Sequence, residues 1–308
     1  MTSERSHSRR PYLFGLWCLA TWIGLVLNGP ATAAEPIISE GNYSFVILPD
    51  TQYYYADQGS GNFGKWLAQM NWIRDHAESH NIKYVLHLGD ITDQADHSST
   101  HLSQWSSAKL VAGGIMDKVP LALSVGNHDG LGNSRTSLFS NPEYFGAGSA
   151  YASQPTLIET MDPDRWDNSV HRLEIQGHSW LILSLEWGPR DAVVAWADDV
   201  LNRYPDDSVI LILHAYLYRD SSRFDWGLLG AEDRDERQSG NPLGYGALTG
   251  DPEGANDGQK LWNKLIRRHK NVKLVLNGHV GRSGQGRRVA VSNDRYHVHQ
   301  HLVNFQFW

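Results

Sequence analysis

Five short apolar runs in this 308-residue chain each end in residues able to hold a metal ion. Residues 43–48 run into Asp50 and Gln52, residues 83–88 into Asp90, and residues 119–125 into Asn127, His128 and Asp129. Residues 209–213 are closed by His214, and residues 272–276 are followed by His279. Carboxylate, amide oxygen and imidazole are donors that divalent cations from magnesium to zinc accept. A single His after an apolar run is more often a packed or capping residue than a ligand. Five such ends are hard to explain that way, because ligands in α/β sheets gather outside the carboxyl ends of the strands. Residues far apart in sequence would then meet in one place.

The elements that must position them alternate along the chain. Trp66, Met70, Ile73 and Ala77 recur at helical spacing, and helices are expected over residues 102–116, 191–204 and 261–269. Residues 169–176 and 179–185, joined at Gly177-His178, read as an antiparallel hairpin, and residues 296–307 as a further strand. Residues 219–258 are rich in Gly, Asp and Asn without periodicity, and a loop that long is usually functional or mobile. With no internal repeat and no break in composition, residues 35–308 are expected to form one domain.

Residues 1–34 are set apart from the fold. Arg5, Arg9 and Arg10 precede an apolar stretch, and small residues around Ala33 and Ala34 offer a cleavage site, the pattern of an export signal. The run Ser8-Arg9-Arg10 also resembles a twin-arginine signal. A periplasmic or secreted protein with no stable membrane anchor after signal removal is the expectation. Cys18, the single cysteine, lies in that segment, so the remainder has no disulfide and no thiolate chemistry. Removing three basic residues and one acidic residue leaves 24 against 33, a net charge of −9. Such a surface disfavours duplex nucleic acid, which is held mainly through its phosphates. Small anions can still bind where metal ions supply the local charge.

The motifs PDTQ, GDITD, GNHD, LILHA and NGHVG, in this order and at this spacing, resemble the calcineurin-like metallophosphoesterases from about residue 43 to 305. The resemblance implies an α/β (α+β) fold: a four-layer α/β/β/α sandwich of two mixed β-sheets flanked by helices. It also implies two divalent ions (Mn, Fe, Zn or Mg) bridged by Asp90. One ion would be held by Asp90, Asn127, His214 and His279. The other would be held by Asp50, Asp90, the side chain at 52 and a histidine two residues beyond His279. Here position 52 is Gln and that last position is Gly281, so both departures fall on one ion. Either that ion is bound by oxygen and water, or another histidine fills the place. His297, His299 and His301 alternate along a strand and share a face. His299 is the favoured substitute.

By the same resemblance His128 stands beside the ions, where an imidazolium stabilises the phosphoryl group or protonates the leaving oxygen. Asp129 is expected to orient it, and Asp93 to support the site rather than bind an ion. Tyr53, Tyr54 and Tyr55 could wall the cleft, and Arg282, Arg287 and Arg288 lie in a glycine-rich stretch where solvation is the ordinary fate. His97 and His101 are placed in a polar loop. The glycines from Gly59 onward have the spacing of a phosphate-binding loop, but Trp66 stands where Ser or Thr must bind magnesium. The function expected is an exported phosphoesterase that cleaves a mono- or diester of a small phosphorylated substrate with metal-activated hydroxide. Its rival is a phosphate-binding protein that keeps one ion and turns nothing over.

Overall fold

Alternation along the strands assigns each layer its side chains. Tyr84 and Leu86 point one way and Val85 the other; Ile210 and Ile212 oppose Val209 and Leu211. The computed structural model describes residues 41–56, 63–227, 238–281 and 284–306, all within one unit, Pro36–Trp308. The export signal expected over residues 1–34 lies outside them. In chain order the elements are β1 (Ser44–Leu48), α1 (Gln52–Ala56), α2 (Phe63–His76), β2 (Ile82–His87), α3 (Ser99–Gly113), β3 (Leu121–Leu123), β4 (Leu157–Asp162) and β5 (Arg165–Ile175). There follow β6 (His178–Ser184), α4 (Asp191–Arg203), β7 (Ser208–Ile212), α5 (Gly258–Lys264), β8 (Val272–Asn277), β9 (Gln285–Val291) and β10 (His297–Val303).

The strands form two sheets. β1-β2-β3 is all parallel, whereas β4-β5-β6-β7-β8-β10-β9 is mixed, with β6, β7, β8 and β10 parallel to their neighbours in that order. Between the sheets lies an apolar core of Tyr84, Leu86, Leu88, Ala122, Ile182, Ile210, Ile212 and Leu276. Trp66, Met70 and Ile73 of α2 and Trp105 and Ala108 of α3 cover the outer face of the small sheet. Val193, Ala197 and Leu201 of α4 and Leu261 of α5 cover the outer face of the large one. The four-layer sandwich expected from the sequence is the fold, except that the small sheet is parallel rather than mixed. Among the described residues no helix is long and apolar enough to cross a membrane.

Several bounds differ from expectation for local reasons. α3 begins at Ser99 because the Ser98 side chain accepts from the His101 N–H and caps the first turn. The helix expected over 261–269 leaves α geometry at Leu265 and ends in a tighter turn, Ile266–Arg268. β4 and β9 carry no pattern that marks them as strands, and Arg287 and Arg288 lie exposed on β9 rather than in a loop. Arg282 is outside the described residues. Trp66 is buried on the core face of α2, so that position takes no part in a magnesium-binding loop.

Candidate metal centre

The loops that follow β1, β2, β3, β7 and β8 meet at one edge of the sandwich. His214 is buried there, and its Nδ1–H can only donate to the Leu88 carbonyl, 2.9 Å away. Its Nε2 lone pair then lies 3.1 Å from Asp90 Oδ2, 3.2 Å from Asn127 Oδ1 and 3.1 Å from His279 Nδ1. His279 is fixed in the complementary way: its Nε2–H donates to the Gly240 carbonyl at 2.7 Å, which leaves Nδ1 as a lone pair. Asn127 donates through Nδ2 to Asn133 Oδ1 at 3.0 Å, so its carbonyl oxygen faces inward. Asp90, His214 and His279 offer ligand atoms that all lie within 4.8 Å of one another. Acceptors converging in a buried place repel unless a cation sits among them. Burial opposes charge on His214, yet Asp90, by charge and hydrogen bond, and Asp50 lift its pKa to about 9. A proton there answers the demand for positive charge that a metal ion would answer.

Asp50 is also fully buried. Both its oxygens accept from the His279 backbone N–H, at 3.0 and 3.1 Å, and Oδ2 accepts from Asn304 Nδ2 at 2.8 Å. Burial, reinforced by Asp90 and opposed by His214, pushes its carboxyl up, whereas His214, His128 and His279 overcome burial at Asp90 and hold it down. Gln52 is buried in the cleft that Asp90 lines, and its Oε1 has no partner among the described residues. A buried carbonyl oxygen without a donor, in a cleft that the Asp90 carboxylate also lines, is suited to a cation.

His299 is not brought to this place. β10 runs parallel to β8, and the register sets His299 opposite Leu274 and Val289, near the start of the strand rather than its carboxyl end. Val303 on the same face packs between the sheets, but His299 is exposed. What β10 delivers to the edge is the run that follows it, Asn304 and Gln306, which the sequence reading missed. The signal was present: Asn-Phe-Gln after an apolar run repeats the strand-end pattern of the candidate ligands.

His128 and Asp129 are separated by the structure. His128 donates its backbone N–H to Asp90 Oδ1 at 2.9 Å, and its Nδ1 donates to the Asp93 carbonyl at 2.7 Å, with Asp93 Oδ1 3.6 Å away. Burial opposes charge on this ring, but Asp90 and Asp93 hold its pKa above the ordinary value. Asp93, not Asp129, is thus its orienting residue. The Asp129 carboxylate accepts from Gly126 N at 2.8 Å, Ile91 N at 3.1 Å, Thr92 N at 2.8 Å and Thr92 Oγ1 at 3.0 Å, and clasps two ligand loops together. His101, expected in a polar loop, is buried on α3 within reach of Thr92 Oγ1 and Trp105 Nε1. His87, also unforeseen, accepts from Gly89 N at 3.2 Å and reaches Thr51 Oγ1 at 3.2 Å, joining the loops after β1 and β2.

The backbone is shaped closely around the carboxylates. A Cβ on Gly278 would stand 2.1 Å from Asp50 Oδ1, and one on Gly126 would stand 2.2 Å from Asp90 Oδ1. Asp90 and His279 themselves adopt positive φ, 48° and 71°, a strain found where the surroundings over-determine a functional residue. The cleft above them is about 330 Å³, walled by Tyr53, Tyr218 and Tyr245, with His128 and Arg219 as its positive groups. Tyr54 turns into the core instead, and the Tyr55 side chain lies outside the described residues. Gly240 and Tyr245 bring the 219–258 segment to the cleft. A larger cavity, about 690 Å³, lies around Arg135 and Arg190. These arginines are engaged by Glu186, Asp251 and Glu253, so that cavity is walled by ion pairs rather than by converging ligand atoms.

Residues 43–283 match the calcineurin-like phosphoesterase family. The chain belongs to this family. Calcineurin-like phosphoesterases depend on metal, typically as a dinuclear centre, and are hydrolases of phosphoester bonds. A relative, the protein YvnB of Bacillus subtilis (strain 168), is 28% identical over 252 residues, 77% of this chain but 15% of that protein. The chain therefore spans about a seventh of the length of that curated relative. Solved structures similar to it include a dimetal phosphatase from Danio rerio, with 14% identity, TM-score 0.48, and 84% of this chain and 86% of that one covered. A 5'-nucleotidase precursor from Thermus thermophilus gives 13%, 0.42, and 84% against 48%.

Proposed function

We propose that the chain is an exported phosphoesterase that holds two divalent ions and cleaves a small phosphate ester. Asp90, Asn127, His214 and His279 would hold one ion; Asp50, Asp90 and Gln52 would contribute to the other. The observation that carries this reading is the pair of imidazole lone pairs 3.1 Å apart, both tautomers fixed by carbonyls, with Asp90 Oδ2 and Asn127 Oδ1 beside them. When bound, such ions polarise the phosphoryl oxygen and activate water for in-line attack. His128 keeps Nε2 for the reaction, because Nδ1 is committed to Asp93. Charged by Asp90 and Asp93, it passes that proton to the leaving oxygen. Arg219 meets a phosphate oxygen at the mouth, and Tyr53, Tyr218 and Tyr245 give the leaving group a flat apolar wall.

The test is a hydrolysis panel of p-nitrophenyl mono- and diesters with manganese, iron, zinc or magnesium added. Turnover of at least one ester is expected, and the better class defines the substrate. Silence across all metals and esters would contradict this reading and favour its rival, a phosphate-binding protein without turnover.

A further inference from the structure

The run beyond β10 reaches the cleft that Gly281 lines. Gln306 is 7% exposed and lines the same cleft as Gln52, Asp90 and Gly281. Its Nε2 donates to Asp50 Oδ2 at 3.3 Å, while its Oε1 is buried with no partner among the described residues. Turning the amide over would set Oε1 against the Asp50 carboxylate, so the orientation is fixed by charge. Asn304 holds the turn: its backbone N–H donates to Gly284 O at 2.7 Å, and its Oδ1 accepts from the Gln306 N–H at 3.3 Å. With that oxygen used, Asn304 positions and Gln306 is left to bind. Two buried carbonyl oxygens, on Gln52 and Gln306, thus belong to one cleft that Asp90 also lines, and neither has a hydrogen-bond partner among the described residues.

We propose that Gln306 is a ligand of the second ion, and that with Gln52, Asp50 and Asp90 it makes that position all-oxygen. The inference rests on the two-ion reading of the cleft and deepens it. Neutral carbonyls and carboxylates favour hard cations such as manganese, magnesium or calcium, whereas the two imidazoles of the first position suit zinc or iron. The two positions therefore differ in metal preference, and the second takes manganese over zinc.

The test is manganese binding to the intact protein after chelation, followed by calorimetry and by electron paramagnetic resonance of Mn(II). The native chain should take two ions. Even an outer partner of a metal ligand costs about 10- to 100-fold in affinity when removed. Gln306→Leu and Gln306→Ala should therefore weaken the second ion at least that much and leave the first unchanged. Gln306→Glu should retain or tighten the second ion and serves as the folded control, with each variant's melting curve recorded. Undiminished binding of two ions by both Gln306→Ala and Gln306→Leu would overturn the assignment and leave the two-ion reading standing. Fewer than two ions in the native chain would overturn both.

Discussion

The His128 ring donates to the Asp93 carbonyl at 2.7 Å, while the Asp129 carboxylate is occupied by Gly126, Ile91 and Thr92. Adjacent residues thus have separable roles, and their substitutions should differ in kind. His128→Ala should bind both ions as before and lose about 10²- to 10⁴-fold in turnover, the range of a general acid. Metal counting beside steady-state kinetics checks it, and full turnover would contradict the role. Asp129→Asn should instead lower the melting temperature and loosen metal binding, because one of the two accepting oxygens becomes an NH2 that faces buried donors, while the acid limb of any remaining pH–rate profile stays in place. A displaced limb would return Asp129 to an orienting role. Residue types at the strand ends made the first position legible from the sequence. The pairing of His128 with Asp93 was not, because it runs through a backbone carbonyl, which any residue carries.

At the scale of elements, period-two alternation exposed most strands and the 3.6-residue period most helices. It could not show which strands pair. His297, His299 and His301 do share a face, but only the parallel pairing of β10 with β8 reveals that this face is open where His299 stands. Strand β5 carries a second consequence of packing. His171 is buried, with Nδ1 2.8 Å from Tyr84 Oη, and Nε2 3.4 Å from both Tyr151 Oη and Ser169 Oγ. Burial pushes its pKa from 6.5 down to about 3. The unfolded chain takes up this proton below 6.5 and the folded chain does not until about 3. Its contribution to stability is therefore complete above that window and drains away as the pH falls through it. Denaturant titrations of metal-free protein should show a shallower acid decline for His171→Gln than for the native chain. Identical slopes would assign the acid sensitivity elsewhere.

Across the whole molecule, the two sheets present five strand ends to one edge, and the segment around Gly240 closes over it to fix the His279 tautomer. That long-range contact could not be read from a glycine-rich stretch without periodicity. The acidic surface and the N-terminal pattern belong to this scale as well. Mass spectrometry of the protein recovered from outside the cytoplasm should find a chain beginning at Ala34 or Glu35; an intact Met1 start retained in the cytoplasm would contradict export. Stepwise reconstitution tests most directly whether the cleft works as a two-ion phosphoesterase. Metal-free protein is loaded with known amounts of manganese, and ester hydrolysis is measured against bound ions per chain. Turnover should be absent without metal, stay low up to one ion per chain, and rise to a plateau as the second ion binds. Full hydrolysis by the metal-free chain, or none at two ions per chain, would contradict it.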